Sequence, residues 1–376
     1  MSKGERHPMR TVIRLCAAIL VALALTVAGY VVYLNVNYTR IADGIEVSNE
    51  GAEPKTAALA KGVTYTALTY NVGFGAYTPD FSFFMEEGTM KDGTPTQGEH
   101  GVAASKESVL ACTEGDIATI TAATADGAPD LVLLQEVGRD STRSHHVDQC
   151  QAFKEALPTY GAFYAENFHC GYLLYPFPEF HGSVHGGLLT LSDVQGSAVR
   201  RSYPIDESFP ARFFDLDRCF LVQRVAVEDG HELVVINSHM SAYDEGGVIR
   251  AQQMALVMGV LREEAAKGNY VIAGGDWNHA LCDSQELYAS EQAVPEWIST
   301  FDESELPEGF SVVRPDNLEE VATCRGSDLP YVEGVSYRVT CDGFIVSSNV
   351  QAVATTIDTG YATSDHNPVL LMFTLA

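Results

Sequence analysis

The architecture of this chain follows from one stretch, Tyr-Val-Ile-Ala-Gly-Gly-Asp-Trp-Asn-His at Tyr270–His279. Its first half is short, apolar and β-branched, which predicts a buried strand. The strand ends at Gly274 and Gly275, because glycine lets the backbone turn sharply and approach other groups closely. Asp276 and Asn278 follow at a spacing of two, which puts a carboxylate and an amide on one side. α/β folds keep their chemistry at such strand ends, although Asp and Asn also favour ordinary turns.

The composition allows a sizeable core and carries a strong negative charge. The chain has 376 residues, of which 46% are hydrophobic, and a formal net charge of −27. Residues 1–40 contain five basic residues and one acidic residue, which gives +4, so residues 41–376 carry −31. A body of this charge repels polyanions at long range and disfavours extended duplex DNA as a partner. A local pocket for one phosphate is compatible with it.

The N-terminus carries the localisation signal. Leu15–Leu34 is a run of 20 residues without a charge, long enough to cross a bilayer as a helix. Basic residues precede it and acidic sequence follows, which predicts a cytoplasmic segment at 1–14, a single-pass anchor at 15–34 and an extracytoplasmic body in the cell membrane. The alternative is a signal peptide cleaved near Ala28, but the apolar run continues past that point. The polar, weakly periodic segment 35–62 predicts a stalk, and 63–376 the catalytic domain.

The eight cysteines exclude one class of metal site. No two have the CxxC spacing of a zinc knuckle. Cys16 lies in the predicted anchor, so seven remain in the body. An extracytoplasmic location permits disulfides among them, and the odd number leaves at least one unpaired.

Apolar runs and turn signals predict one mixed α/β domain in which strands outnumber helices. The predicted helices are Ser105–Thr124, Asp148–Leu157 and Val248–Lys267, and the predicted strands are Val63–Tyr70, Leu131–Gln135, Gly186–Ser192, Phe220–Val227, Glu232–Asn237, Tyr270–Gly275, Asp342–Val346, Val350–Thr356 and Pro368–Leu375. A long loop, 76–104, contains the apolar cluster Phe81–Met85, which we expect to pack near the site.

Polar residues recur at the ends of the predicted strands. Packed sheets gather strand ends on one rim, so these side chains are expected in one place. Each alone has an ordinary alternative, a turn or a hydrogen-bonded strand-end residue. The set comprises Asn71, Glu136, His239, Asp276, Asn278, Asp342, Asp365 and His366.

These segments resemble the endonuclease/exonuclease/phosphatase superfamily typified by deoxyribonuclease I. The resemblance spans residues 64–375 and rests on the order of six motifs. It implies a four-layer α/β/β/α sandwich of two mixed β-sheets, here preceded by one transmembrane helix, and hydrolysis of a phosphoester assisted by a divalent metal. The motifs are Thr69–Asn71, Leu134–Val137, Asn237–Met240, Gly275–Asn278, Asp342–Ile345 and Ser364–Pro368.

The resemblance also implies a role for each residue. The metal would be held by Glu136, with Asn71 and Asp365 near it. Asp276 would position or deprotonate the attacking water. The remaining roles are phosphate binding by His239, holding of a phosphoryl oxygen by Asn278, and stabilisation of the pentacovalent phosphate by His366, whose ring Asp342 would orient.

Elementary chemistry agrees with these roles. Mg²⁺, or Mn²⁺ in its place, is a hard cation that prefers oxygen ligands. A metal and imidazoles neutralise charge that grows on phosphoryl oxygens. A carboxylate beside an imidazole raises its pKa and favours the cation. None of these residues demands a covalent nucleophile, so direct attack by water is the simpler mechanism.

The segment after Glu136 is rich in basic residues. We hypothesise that Arg143, His145 or His146 recognises a second anionic group of the substrate. The alternative is a solvated loop whose arginines pair with nearby acids.

The sequence therefore predicts a membrane-anchored, extracytoplasmic, metal-dependent phosphoesterase for a phosphodiester or phosphomonoester. It does not distinguish a phospholipid head group, a sugar phosphate or a nucleotide as substrate. One alternative is an extracellular nuclease. A catalytically inactive binding module is another, but it would predict lost metal ligands, whereas every motif position is filled.

Overall fold

The structure, a computed structural model, describes residues 6–213, 217–242 and 247–376. The helices are α1 (Arg6–Asn37), α2 (Lys106–Thr121), α3 (Gln149–Ala156) and α4 (Val248–Ala266). The strands are β1 (Ile45–Val47), β2 (Thr64–Asn71), β3 (Glu87–Thr89), β4 (Pro95–Gln97), β5 (Leu131–Gly138), β6 (Gly161–Leu173), β7 (Gly182–Ser192), β8 (Ser197–Ser202), β9 (Cys219–Ala226), β10 (Glu232–His239), β11 (Tyr270–Asp276), β12 (His279–Ala280), β13 (Ser299–Thr300), β14 (Phe310–Val312), β15 (Cys324–Arg325), β16 (Arg338–Val339), β17 (Asp342–Ser347), β18 (Val350–Thr356) and β19 (Val369–Leu375).

Two mixed sheets form the centre of the body. The seven-stranded sheet has the order β1-β8-β9-β10-β11-β17-β14, and the six-stranded sheet has the order β18-β19-β2-β5-β7-β6. Each contains one parallel pair near its middle, β10 with β11 and β2 with β5. The strands of these pairs end on the same rim, which brings their last residues together.

The sheets pack face to face, with helices outside. The inner layer contains apolar side chains from both sheets, among them Leu133, Leu371, Ile272 and Phe344. α4 covers the outer face of the seven-stranded sheet, and α2 and α3 cover the outer face of the six-stranded sheet. This confirms the predicted four-layer α/β sandwich.

The two glycines of the central stretch are required by close packing. A Cβ on Gly275 would lie 2.0 Å from the carbonyl oxygen of Ser238 on β10, and the residue has φ of 153°. A Cβ on Gly274 would lie 2.5 Å from the Phe344 ring. Side chains are therefore excluded just before Asp276, as the sequence predicted.

The longest strands that were not predicted are β6, with 13 residues, and β8, with six. β6 pairs with β7 through two register shifts, one between Glu166 and Phe168 and one between Cys170 and Leu173. Each shift interrupts the alternation of inward and outward side chains on which strand prediction depends.

The segment 35–62, predicted as a stalk, is attached to the body. α1 continues to Asn37, β1 pairs with β8, and Leu59 is buried in the core between the sheets. The attachment includes backbone hydrogen bonds, such as Leu59 to the carbonyl of Ala226, and side-chain contacts, such as Arg201 with Asp43. Hydropathy does not report such bonds, so it does not predict this attachment.

α1 contains a span, Met9–Asn37, that is long and apolar enough to cross a membrane, and its most apolar 18-residue window is not buried by the rest of the described chain. Its last turns contact the body: Leu34 packs against Leu173 and Phe213. All eight cysteines are free thiols in the structure.

Candidate active site

The seven-stranded sheet aligns three predicted residues at one rim. His239, the last residue of β10, lies beside Asp276, the last residue of β11. Asp276 in turn lies opposite Asp342, the first residue of β17. All three side chains are buried. Strand register alone therefore places an imidazole and two carboxylates side by side.

The six-stranded sheet contributes Asn71 and Glu136. Asn71 ends β2 beside Gln135 of β5. Glu136 follows within a bulge of β5 and has φ of 54°. Bulges redirect side chains, and non-glycine residues with positive φ concentrate at functional sites. This local distortion turns Glu136 into the pocket instead of the sheet surface.

The two rims meet across the sandwich. The Asn71 side-chain amide donates to Oδ2 of Asp276 at 3.1 Å. Nε2 of His239 lies 3.6 Å from the same oxygen and 4.0 Å from Oε1 of Glu136. Asn71 and His239 thus both lie within contact distance of the Asp276 carboxylate, and His239 also approaches Glu136.

The loop before β19 completes the group. Nδ1 of His366 lies 2.8 Å from Oδ2 of Asp342. Its Nε2 points to the other carboxylates, 3.9 Å from Asp276 and 4.0 Å from Asp365. The Ser364 hydroxyl donates to the backbone carbonyl of Asn71 and fixes the loop. Asp342 therefore orients the His366 ring, in the arrangement that the resemblance implied.

Seven of the eight predicted residues, all except Asp342, line one pocket with a volume of about 280 Å³. We call its polar side the catalytic floor: Asn71, Glu136, His239, Asp276, Asn278, Asp365 and His366. We call its apolar side the aromatic arm: Phe74, Phe83, Phe84, Met85 and Phe168. The cluster Phe81–Met85 was predicted to pack near the site, and three of its residues line this pocket.

Burial and the charge of a neighbouring carboxylate raise the pKa of two carboxyl groups of the floor, Asp276 and Glu136. Burial, and then the charge of Asp342, raise the pKa of Asp276 to about 7. Burial also raises the pKa of Glu136, and Asp365 adds to this shift while Arg143 opposes it. Buried carboxylates this close to one another stabilise a bound cation, because it removes their repulsion.

The two histidines of the floor shift in opposite directions. Burial opposes a charge on His366, but the Asp342 carboxylate outweighs it, and the pKa of His366 is raised well above its usual value. Burial, and then Arg218, lower the pKa of His239 well below its usual value. The shifts favour the protonated form of His366 and the neutral form of His239.

The donor set fits Mg²⁺ or Mn²⁺. Glu136 and Asp365 offer carboxylate oxygens and Asn71 an amide oxygen, the ligands that hard divalent cations prefer. The side-chain oxygen of Asn71 already accepts from the backbone of Gly73, which holds it in place and leaves a second lone pair. Few protein ligands suffice, because Mg²⁺ keeps several waters.

Asn278 lies at the floor with its amide already engaged. It has φ of 50°, and its backbone N–H donates to Asp276. Its side-chain amide donates to the carbonyl of Met240 at 2.9 Å. This bond fixes the orientation of the side chain toward the pocket.

Arg143 alone of the three hypothesised substrate-binding residues lines the pocket. Its guanidinium is buried among aromatic rings, 4.4 Å from the centroid of Phe74 and 5.2 Å from that of Phe83. One side-chain nitrogen donates to the Tyr77 hydroxyl, while Nε has no hydrogen-bond partner among the described residues. A buried cation with an open donor suits an anionic group.

His145 and His146 do not line the pocket. Both have positive φ, which turns the chain away from the pocket. Nε2 of His145 contacts the carbonyl of Ala103 at 2.8 Å, and the exposed His146 pairs with Asp140. The hypothesis that they bind substrate is therefore corrected, because both rings are occupied outside the site.

Sequence reasoning missed several residues of the site. Arg325 lines the pocket from the short strand β15. The Cys324 thiol lies 3.6 Å from Nε2 of His366, and the Cys341 thiol lies 3.6 Å from Asp342. These residues lie between the motifs Gly275–Asn278 and Asp342–Ile345, where the sequence offers neither a periodic pattern nor a motif.

Neither the family models nor the curated protein sequences contain a match to this chain. Among solved structures, it is similar to TDP2 from C. elegans, with 14% identity, a TM-score of 0.51 and coverage of 84% of this chain and 76% of that one. An endonuclease/exonuclease/phosphatase from Beutenbergia cavernae is 15% identical, with a TM-score of 0.52 and coverage of 83% and 72%. ANGEL2, described as a 2′,3′-cyclic phosphatase, is 14% identical, with a TM-score of 0.50 and coverage of 89% and 99%.

At these identities the likeness establishes the fold. The chain has the fold of the endonuclease/exonuclease/phosphatase superfamily, and the resemblance that its motifs predicted is confirmed at that level.

Proposed function

We propose that this protein is a divalent-metal-dependent phosphoesterase in which water attacks the phosphorus directly. One observation carries the proposal: Asp276 lies within 4 Å of both His239 and His366, and His366 is in turn hydrogen-bonded to Asp342. Acid, base and phosphate-binding groups thus surround one space. The described relatives with this fold include a cyclic phosphatase and an endonuclease/exonuclease/phosphatase, which supports the reaction class.

Each residue has a task in this reaction. Asp276, with a pKa near 7, accepts the proton of the attacking water. Protonated His366 donates from Nε2 to the phosphoryl oxygen on which charge grows, and Asp342 stabilises the cationic ring. His239 and Asn278 hold the other oxygens. A metal held by Glu136, Asp365 and Asn71 would neutralise phosphoryl charge and orient the ester.

The same proposal extends to location. The apolar span in α1 and the basic residues before it support a single-pass anchor in the cell membrane, with the body outside the cytoplasm. The charge of the body favours small or membrane-bound phosphoesters over extended duplex DNA.

The test uses the full chain in detergent micelles and methyl 4-nitrophenyl phosphate, a soluble diester. We expect hydrolysis that EDTA abolishes and Mg²⁺ or Mn²⁺ restores. Asp276→Asn should lower kcat/KM by about 10³-fold or more, because it removes the base and a charge of the site. The matched control is Asp126→Asn, which changes an exposed acid far from the floor.

Two outcomes would contradict the proposal. Hydrolysis that is insensitive to EDTA would show that the reaction needs no divalent metal. Hydrolysis by Asp276→Asn at the rate of the control would show that the floor does not carry out the reaction. Parallel assays on single-stranded DNA, sphingomyelin and phosphoinositides then separate a nuclease from a lipid or nucleotide esterase.

A further inference from the structure

Exposed apolar side chains line one edge of the body around the turn between β6 and β7. We call this set the aromatic edge: Tyr172, Leu174, Tyr175 and Phe177. Phe177 is 83% exposed, and the others are between 40% and 56% exposed. Soluble surfaces rarely display so many large apolar groups together, which marks a contact surface.

The aromatic edge is attached to the end of the apolar helix. The Tyr30 hydroxyl of α1 donates to the carbonyl of Tyr172 and accepts from the backbone N–H of Leu174. The Tyr33 hydroxyl accepts from the N–H of Tyr172 at 3.0 Å. These bonds fix the edge beside the last turns of α1, where a membrane-spanning helix would leave the bilayer. Tyrosines are common at that level of a membrane.

The aromatic edge also reaches the pocket. Tyr175 packs against Phe84 of the aromatic arm, with ring centroids 5.4 Å apart. Phe84 is in turn packed against Phe83, which also lines the pocket. A continuous apolar path thus runs from α1 to the floor, so an apolar substituent of a bound phosphoester has a route toward the surface at α1.

The chemistry of the edge is apolar, not electrostatic. Between Tyr172 and Phe180 the sequence contains one charged residue, Glu179, whose carboxylate lies 3.4 Å from His100. Residues 41–376 carry −31, which repels anionic surfaces. The contact therefore suits the interface of a bilayer without requiring anionic lipid.

We infer that the aromatic edge docks on the bilayer that holds α1, and that the pocket takes an amphiphilic phosphoester whose apolar chain remains in that bilayer. This inference rests on the proposed function and deepens it by naming the substrate class. The phosphate occupies the floor, and the chain passes along the aromatic arm to the membrane surface.

Docking is tested with tryptophan probes in the full chain reconstituted into phosphatidylcholine vesicles. Phe177→Trp introduces a probe at the aromatic edge. Val353→Trp introduces one at another exposed apolar position, 56% exposed, on β18 at the opposite edge of the six-stranded sheet from β6. Brominated phosphatidylcholine should quench the first and spare the second. Equal quenching of the two, or none of either, would overturn the docking.

The substrate class is tested with two esters that share a leaving group. Hexadecyl 4-nitrophenyl phosphate is embedded in phosphatidylcholine vesicles, and methyl 4-nitrophenyl phosphate is dissolved. We expect the wild type to favour the embedded ester by about tenfold or more in kcat/KM. Leu174→Ser/Phe177→Ser should remove this preference and leave the methyl ester unaffected.

The outcomes separate this inference from the proposed function. If the double variant keeps the preference, or the wild type hydrolyses both esters equally, the inference is wrong while the phosphoesterase stands. If the wild type hydrolyses neither ester with any divalent metal, the proposed function fails and the inference falls with it. Added phosphatidylserine should not increase the preference, and a strong increase would contradict an apolar contact.

Discussion

The catalytic floor and the aromatic arm face the same cavity, but different forces hold them in place. The floor is fixed by strand register and by buried hydrogen bonds, such as Asn71 to Asp276 and Asp342 to His366. The arm is held by ring packing between a long loop and a bulged strand, because Phe83 of the loop and Phe168 of β6 both pack against the ring of His181.

The difference assigns different duties to the two sides. Carboxylates and imidazoles that hydrogen bonds hold at fixed positions can stabilise the charge that develops in the transition state. Changes in the floor should therefore lower kcat. Packed rings bind ground and transition states alike, so changes in the arm should act on KM and on stability. Variants of the two sides test whether the floor acts on kcat and the arm on KM and stability.

The largest effect is expected for His366 of the floor and Asp342, its hydrogen-bond partner. His366→Gln should lower kcat on methyl 4-nitrophenyl phosphate by about 10³-fold with little change in KM, because the ring acts in the transition state. Asp342→Asn should cost about 10²-fold, because it leaves the ring in place without its counter-charge.

The double variant decides whether the two residues act as one unit. His366→Gln/Asp342→Asn should be no slower than His366→Gln alone. Losses that multiply would show that Asp342 acts elsewhere, and a change confined to KM would contradict the duty assigned to the floor.

The next effect concerns His181, a buried histidine whose ring packs against Phe84 and Phe168 of the arm. Burial, and then Arg143, lower its pKa to about 3. The unfolded chain takes up a proton near pH 6.5 and the folded chain does not, so stability falls as the pH drops from about 6.5 toward 3. His181→Gln removes this dependence. In urea unfolding in micelles, the variant should lose roughly 2–3 kcal/mol less than the wild type between pH 7 and pH 4.5.

The control for this comparison is His146→Gln, at an exposed ring. It should follow the wild type at both pH values. If His181→Gln instead loses as much stability as the wild type on acidification, His181 takes up a proton in the folded chain. The arm would then admit water, contrary to what its packing indicates.

The smallest effect is expected where the two sides meet. Arg143 is enclosed by rings of the arm and acts electrostatically on Glu136 of the floor. Arg143→Lys keeps the charge but loses the planar stacking and the forked donors, so KM should rise about tenfold while kcat changes less. The exposed Arg262→Lys serves as control. A kcat loss as large as that of His366→Gln would instead make Arg143 part of the floor.

The floor could be predicted from the sequence because its residues end buried strands. The apolar run before Asp276 marked β11, and glycines marked the point where the chain must pass close to β10. The register of the strands depends on how the two sheets pack, and no single motif encodes that packing. The mutual distances, and the opposite pKa shifts of His239 and His366, required the three-dimensional arrangement.

The arm could not be predicted to the same extent, because tertiary contacts alone define it. Phe168 lies beside a bulge of β6, a strand without clear alternation. His145 and His146 lie in a segment with the composition of a binding loop. Both have positive φ, which the sequence does not indicate, and neither lines the pocket. The attachment of 38–62 to the body depends in part on backbone bonds that side-chain patterns do not report.

The most direct test of the central claim, that floor carboxylates hold a catalytic metal against the phosphoester, is a Mn²⁺ titration of methyl 4-nitrophenyl phosphate hydrolysis. Wild type and Glu136→Gln are compared in micelles, with Asp126→Asn as control. We predict saturable activation by Mn²⁺ in the wild type and the control, and a requirement for at least ~10-fold more Mn²⁺ in Glu136→Gln. The same activation curve for Glu136→Gln and the wild type would contradict the account.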